Sequence, residues 1–508
     1  MRTKNSIRNL IVAWAGQIVL LLCTFVSRSV FVSILSTEYL GISGLFSNIL
    51  SMLSLVDLGI GISIAYYLYE PLAEQNEKKI CQLMNYFKKI YTSIGIIVFL
   101  IGVVLTPFLE WFIKEDITIP HIKFIYILYV LDSALTYFSA YKSSLINADQ
   151  KNYIVSLYQN VIKIVQTILA IGILAITKDY IAYYSITLVA TVLYNVMITR
   201  KANKLYPFLK KYKSEVIDEE SKQKIKKNTV AMMCHKIGNV LVNSTDNLLI
   251  SKFVSIVSVG LYSNYSLILI NLNKIVSQIF SSMTASIGNF NVSESDEKKE
   301  KLFYTIFLMN FEIYNFISIC LFVLFNPFII LWLGHDFVMS QSIVLIIVLN
   351  NYLQGVRKTV LSFKDASGLF QNDKYKAIIE SVINLIASIV LVKYWGIVGV
   401  FVGTTISFVS TCLWVEPLVL FKYGLKASLL KYFKTYVLYF IETSACVAIA
   451  YYISTFISDG ILGFILRVLV CGLVWGLSVL IFHSRSEEFK TLLSKVIKNK
   501  GKKKNETV

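Results

Sequence analysis

The chain has 508 residues, 56% of them hydrophobic and 16% charged, with a mean hydropathy of +0.64. Globular domains run at about 45–50% apolar and about 25% charged, so the composition excludes a soluble fold and points to an all-α polytopic membrane protein. The 49 Lys+Arg against 31 Asp+Glu leave a net charge of +18, which in a membrane chain reports topology rather than a nucleic-acid partner.

Met1 to Arg8 resembles the basic start of a signal sequence, but the apolar stretch behind it is too long and lacks a cleavage pattern, so it reads as an uncleaved first helix. About 20 apolar residues cross a bilayer core of roughly 30 Å. On that measure spans are predicted at 10–35, 42–69, 90–113, 121–146, 153–177, 180–199, 229–253, 256–285, 302–333, 341–363, 375–393, 396–421, 435–457 and 461–483. Fourteen spans put both termini on one side. With that side cytoplasmic, 37 of the Lys and Arg fall on inner loops and tails. Only Lys114, Lys123, Lys178, Lys252 and Lys393 fall outside, and seven lie at membrane depth. This is the positive-inside pattern, expected of a multi-pass protein of a bacterial cytoplasmic membrane. The basic tail, Lys495 to Lys504, adds contact with anionic membrane lipid, worth about 1 kcal/mol per residue near the surface. Docking of assembly proteins there is a further candidate role.

The two halves carry the same punctuation. Gly44-Leu45-Phe46-Ser47-Asn48 recurs as Gly260-Leu261-Tyr262-Ser263-Asn264, Glu77-Lys78-Lys79 as Glu297-Lys298-Lys299, and Pro107-Phe108 as Pro327-Phe328, at offsets between 216 and 220. Asn152-Tyr153 and Lys374-Tyr375, 222 apart, open the fifth and eleventh spans. Duplication of a six-helix unit follows, and because six is even the copies insert with one orientation. The expected organisation is an N-terminal six-helix lobe at 1–200, a basic cytoplasmic linker at 201–228, a second six-helix lobe at 229–421, and two extra helices with a basic tail at 422–508.

Several spans carry polar residues at i, i+3, i+4 and i+7 spacing, on one helix face. They are Gln17, Thr24 and Arg28 in the first; Ser47, Ser51, Ser54 and Asp57 in the second; and Ser156, Asn160, Lys163 and Thr167 in the fifth. The seventh has Lys236, Asn239, Asn243 and Asp246, the eighth Asn264, Asn271, Lys274 and Gln278, and the tenth Asn350, Gln354 and Arg357. A lone stripe is more often interhelical hydrogen bonding. A charge facing lipid at the helix centre costs at least about 2.5–3.5 kcal/mol, so stripes on this many helices predict a shared hydrated interior. Its deep charges are Arg28, Lys163, Lys236, Lys274, Arg357 and Lys358 against Asp57, Asp132, Asp246 and Glu312. Any one of these reads equally well as a paired ion fixing helix register. Together the cationic excess predicts an anionic, phosphate-bearing cargo, which Arg grips with two parallel hydrogen bonds. The cysteines and the histidines His121, His235, His335 and His483 are scattered singly, so no disulfide framework or zinc cluster is visible.

Tyr39-Leu40-Gly41 with Gly44-Leu45-Phe46, then Leu55-Val56-Asp57-Leu58-Gly59-Ile60-Gly61 and Pro71-Leu72-Ala73, resemble polysaccharide repeat-unit flippases of the Wzx type, in the multidrug/oligosaccharidyl-lipid/polysaccharide exporter superfamily. Trp332-Leu333-Gly334 and Asn243-Ser244-Thr245-Asp246 fit the same family. The resemblance implies a V-shaped pair of six-helix bundles that carries undecaprenyl-diphosphate-linked glycan from the inner to the outer leaflet by alternating access. It implies a cationic first-helix position at Arg28, a second-helix acid at Asp57 and an eighth-helix cation at Lys274, where relatives often carry Arg. Arg28, Asp57, Lys163, Lys236, Lys274 and Arg357 are thus the candidate substrate-binding residues. Some relatives bind sodium between the seventh, eleventh and twelfth helices, where Asp246, Asn384 and Thr404 supply oxygen ligands here. No cofactor is expected beyond a coupling ion, Na+ or H+.

Two other classes remain open. A cation-coupled multidrug exporter of the same superfamily favours a net acidic cavity, against the deep-charge count. A membrane-embedded glycan polymerase or glycosyltransferase needs catalytic groups on a sizeable outer loop, and the longest outer connection offers only Glu115-Asp116. The chain is therefore read as a transporter and not an enzyme.

Overall fold

A bilayer core holds no water to satisfy backbone groups, so a spanning chain must close its hydrogen bonds internally, and every regular element among the described residues is helical. The structure, a computed structural model, describes residues 2–54, 60–113, 119–211, 216–219, 221–223, 225, 245–369, 372–373 and 375–494. Asp57, Lys236, Asn239, Asn243, Glu115, Asp116 and the Lys-rich tail lie outside them.

Residues Met1–Gly260 form one compact unit and Leu261–Val508 a second. The first holds α1 (Arg2–Ile34), α2 (Thr37–Leu53), α3 (Ile60–Ala73), α4 (Glu77–Leu105, prolonged by a 3-10 turn at Thr106–Phe112), α5 (Ile122–Ala148), α6 (Asn152–Thr177) and α7 (Tyr180–Leu205), with helix again over 245–253. Side chains open two of these helices. Asn76 accepts from the Lys79 amide ahead of α4, and Asp179 accepts from the Ile181 amide ahead of α7, each satisfying an N–H that a helix start leaves unpaired. Helix α5 packs on α2, α3, α4, α6 and α7, and α1 packs on α6.

Helix α8 (Ile256–Ser293) begins in the first unit's last residues and runs on into the second, which continues with α9 (Asp296–Leu333), α10 (Gln341–Val356), α11 (Lys358–Ala366) and α12 (Lys376–Trp395), then α13 (Ile397–Leu425), α14 (Leu429–Ser454) and α15 (Ile461–His483). Helix α9 is the hub, packed against α10, α11, α14 and α15. The tenth expected span is broken at Arg357, between α10 and α11. Buried Asn310 of α9 donates to the Gly355 and Val356 carbonyls there, at 3.1 and 2.8 Å, satisfying acceptors that a helix end would otherwise orphan.

Helices α12 and α13 form a tight hairpin. Gly396 turns the corner at φ 57°, in the left-handed region that glycine enters without steric penalty. A Cβ at Gly399 would lie 2.2 Å from the Leu391 carbonyl oxygen, and one at Gly403 would lie 2.2 Å from Ser388 Oγ. Small residues four apart let two helices close to this distance.

Among the described residues, nine helices are long and apolar enough to cross a membrane. They coincide with the expected third to sixth, ninth and eleventh to fourteenth spans. The expected first, second, seventh, eighth and tenth are not among them; the second and seventh fall partly outside the described residues. In the first, Val19–Ile34 is an apolar helix shorter than a full crossing among the described residues, and the tenth is divided into α10 and α11.

Candidate functional site

Each unit presents its polar side chains differently. In the first, the stripe on α6 falls within about 60° of a 3.6-residue wheel. The exposed Leu157, Val161, Val165 and Ile168 occupy the opposite side. On α1, Thr24 and Arg28 likewise lie opposite the exposed Val19, Leu22 and Val26. Apolar exposure on one face is what lipid selects, and it turns Lys163 and Arg28 away from lipid. Asn160 meets α1 at Gly16 and Gln166 bonds Thr187 of α7 at 2.7 Å, so Lys163 lies between α1 and α7. Asp132 of α5 is within its electrostatic reach, and Asp132 itself accepts from Thr191 at 2.6 Å.

Arg28 sits among the hydroxyls of Tyr129, Tyr180 and Tyr183. The Tyr129 and Tyr180 hydroxyls share a 2.6 Å hydrogen bond, and Tyr129 also donates to Ser43 at 3.0 Å. Tyr129 stacks on Tyr184 at 3.8 Å, while Phe31, one turn beyond Arg28, meets Tyr180 and Tyr183 edge-on. The result is a guanidinium walled by rigid phenols, a chemistry suited to phosphate or sugar oxygens.

In the second unit the structure separates two cationic arrangements that look alike in sequence. Arg357 grips Glu416 with both arms of its fork, Nε to Oε2 at 2.5 Å and Nη2 to Oε1 at 2.6 Å. Lys376 also binds Glu416 Oε1 at 2.6 Å and lies 3.4 Å from Glu380. Glu416 is fully buried. Two cations and two carboxylates balance, so Arg357 has its bidentate geometry satisfied by protein. Arg467, another deep charge, donates to the Ile457 carbonyl and to Asp459.

Lys358 and Lys274 differ. Lys358 Nζ bonds Ser277 Oγ at 2.8 Å and reaches the Asn273 carbonyl at 3.5 Å, both on the turn of α8 that carries Lys274. Lys274 is exposed, and among the described residues no carboxylate forms an ion pair with either lysine. A chain of contacts fixes this turn. The Tyr314 hydroxyl donates to Asn273 Oδ1 at 3.0 Å, and Asn273 Nδ2 donates to Asn351 at 2.7 Å. Gly355 leaves room for the Tyr314 ring, whose carbons a Cβ there would meet at 2.1 Å.

Of the candidate sodium ligands, Asn384 Nδ2 donates to Thr404 Oγ1 at 3.0 Å, a contact the close α12–α13 approach permits. Asp246 belongs to the first unit; its Oδ1 is buried without a hydrogen-bond partner among the described residues.

Sequence reasoning missed Glu416, Lys376 and Glu380 as a network, because they lie at span ends. It also missed Gly399 and Gly403, although their four-residue spacing in an apolar span was a usable signal.

A family model described as polysaccharide biosynthesis protein matches residues 6–287, more than half of the chain. No curated protein matches by sequence. Solved structures share the fold. An inward-facing multidrug resistance MATE family transporter of the MOP superfamily superposes with a TM-score of 0.64 at 12% identity, over 80% of this chain and 98% of that one. The lipid II flippase MurJ in an inward closed conformation gives 0.63 at 16% identity, over 94% and 99%. The Vibrio cholerae MATE transporter VcmN in the bent form gives 0.53 at 15% identity, over 84% and 98%.

Proposed function

Since this chain belongs to the polysaccharide biosynthesis protein family, we propose that it is a flippase for a lipid-linked oligosaccharide. The cargo is undecaprenyl-diphosphate-linked glycan, a precursor of capsule, exopolysaccharide or teichoic-type polymer, moved from the inner to the outer leaflet of a bacterial cytoplasmic membrane by alternating access. Both termini stay in the cytoplasm, and the protein carries out no covalent chemistry.

The observation that carries this reading is the pair Lys274 and Lys358, two ammonium groups beside one turn of α8 with no carboxylate ion pair among the described residues. A diphosphate at this turn would gain charge-assisted hydrogen bonds from them worth about 1.5–3 kcal/mol each. Arg28 and its phenols are proposed to take sugar or phosphate oxygens, with Lys163 beside them. Asp57 and Lys236 keep their proposed substrate-binding roles. Arg357 is proposed to act by holding α11 against α13 rather than by touching cargo. The lipid tail stays in the bilayer throughout.

The experiment is surface polymer and lipid-linked intermediate in cells whose only copy carries Lys274→Ala with Lys358→Ala, or Arg28→Ala. Loss of polymer, with accumulation of the lipid-linked oligosaccharide and normal protein level in the membrane, is expected. Wild-type polymer in both strains sinks the proposal. Drug hypersensitivity without loss of polymer would favour the cation-coupled multidrug exporter. Replacing Na+ by K+ in a reconstituted assay separates sodium coupling, with Asn384 and Thr404 as ligands, from proton coupling.

A further inference from the structure

Three ionisable side chains from distant parts of the sequence meet inside the second unit. Glu312 comes from the middle of α9 and Glu442 from the middle of α14. His483 closes α15, whose last turn, Val479–His483, is π-helical. Such turns are rare and frequent at functional sites. His483 Nε2 lies 3.0 Å from Glu442 Oε2 and 3.6 Å from Glu312 Oε1. One ligand atom from each residue falls within 4.8 Å of the other two. The side chains of His483, Glu442 and Glu312 keep only 10%, 9% and 12% of their surface exposed. Trp475 Nε1 donates to the other Glu312 oxygen at 2.9 Å, the kind of outer contact that orients a ligating carboxylate.

Two features are unexplained by a plain ion pair. Glu312 Oε1 and Glu442 Oε1 are buried without a hydrogen-bond partner among the described residues, which for carboxylate oxygens is costly. In addition, neither carboxylate forms an ion pair with a Lys or Arg there. Two carboxylates with a neutral imidazole carry a charge of −2; a protonated imidazole still leaves −1. A divalent cation cancels the charge and engages Glu312 Oε1, one of the two unpaired oxygens.

The spacing suits one class of ion. Zinc–nitrogen and zinc–oxygen distances of about 2.0–2.2 Å in tetrahedral geometry put neighbouring ligand atoms roughly 3.3–3.5 Å apart, and the observed 3.0 and 3.6 Å bracket that range. Glu312 and Trp475 line a cavity of about 650 Å³, and Glu442 and His483 line another of about 620 Å³.

We propose that Glu312, Glu442 and His483 bind a divalent transition-metal ion of the zinc class, with three protein ligands and one position left for water. The ion ties the last two helices to α9. Nothing in the flippase reading requires this site, so the two stand or fall separately.

The test uses the full-length chain, tag-free in detergent and stripped with chelator, titrated with Co2+ and then Zn2+. One equivalent of Co2+ is expected, with the visible absorption of a four- or five-coordinate site, displaced by Zn2+. Losing an outer-sphere partner typically costs 10–100-fold in metal affinity. Trp475→Phe is therefore expected to weaken binding by about that factor, and His483→Gln or Glu442→Gln by more than about 100-fold. In the unsubstituted chain, Zn2+ is expected to protect His483 from diethyl pyrocarbonate, read by peptide mapping. Wild-type protein that takes up well under one equivalent, variants that bind equally well, or His483 modified at the same rate with and without Zn2+ each overturn the proposal.

Discussion

Glu416→Gln removes one negative charge from a buried set of four. Glu416 accepts three charge-assisted hydrogen bonds, two from Arg357 and one from Lys376. The side chains of Arg357, Lys376 and Glu416 expose only 16%, 7% and 1% of their surface. With Glu380 the set is neutral, and after the substitution it carries +1 with little water in reach. Removing one partner of a buried pair costs about 3–5 kcal/mol, whereas replacing the pair by apolar residues is often neutral. At about 2–4 °C per kcal/mol for a domain of 150–250 residues, the apparent melting temperature in detergent should fall by about 6–20 °C. Intrinsic fluorescence during a thermal ramp reads it. Arg357→Met with Glu416→Leu leaves Lys376 beside Glu380 and should recover most of the loss. Glu487→Gln, which breaks the exposed contact to Lys301, should leave the transition where it was. A Glu416→Gln transition within about 2 °C of wild type, or a double variant no better than the single one, would refute the assignment of Arg357 to a structural network.

Lys274→Ala and Lys358→Ala should each weaken binding of a diphosphate-bearing lipid by about 10–100-fold, the equivalent of about 1.5–3 kcal/mol; titration of the purified protein with a polyprenyl diphosphate measures it, and unchanged affinity in both would count against the site. Arg28→Lys keeps the charge but loses the fork, so transport in reconstituted vesicles should fall between wild type and Arg28→Ala. Gly355→Ala should displace the Tyr314 ring and release Asn273, at about 1–3 kcal/mol of overpacking, seen as a lower melting temperature together with weaker lipid binding. Gly403→Ala forces α12 and α13 apart at Ser388 by a comparable cost and should lower the melting temperature without altering diphosphate affinity.

Much of the fold was legible because a bilayer imposes simple rules. Hydropathy placed segments that are helical wherever they are described, and the stripes on α1 and α6 lie opposite lipid-facing side chains as the 3.6-residue period requires. The eighth span is too polar and the tenth too interrupted to pass as an apolar crossing among the described residues. The break at Arg357 was not legible, since Asn310, whose amide meets the Gly355 and Val356 carbonyls there, lies 45 and 46 residues from them along the chain.

What the amino-acid order determined by itself was periodicity, polarity and the distribution of charge, all of which depend on neighbours within a few turns. It could count Arg357, Lys358 and Lys274 as cations but not tell them apart. Only the tertiary structure decided that Arg357 is paired with Glu416, 59 residues on, while Lys358 meets hydroxyl and carbonyl oxygens on α8. It likewise gathered Glu312, Glu442 and His483, which looked scattered, around one point. The reason is physical. A charge acts through its distance to other charges and through the dielectric around it, and both are set by which helices pack together rather than by which residues are adjacent in the chain.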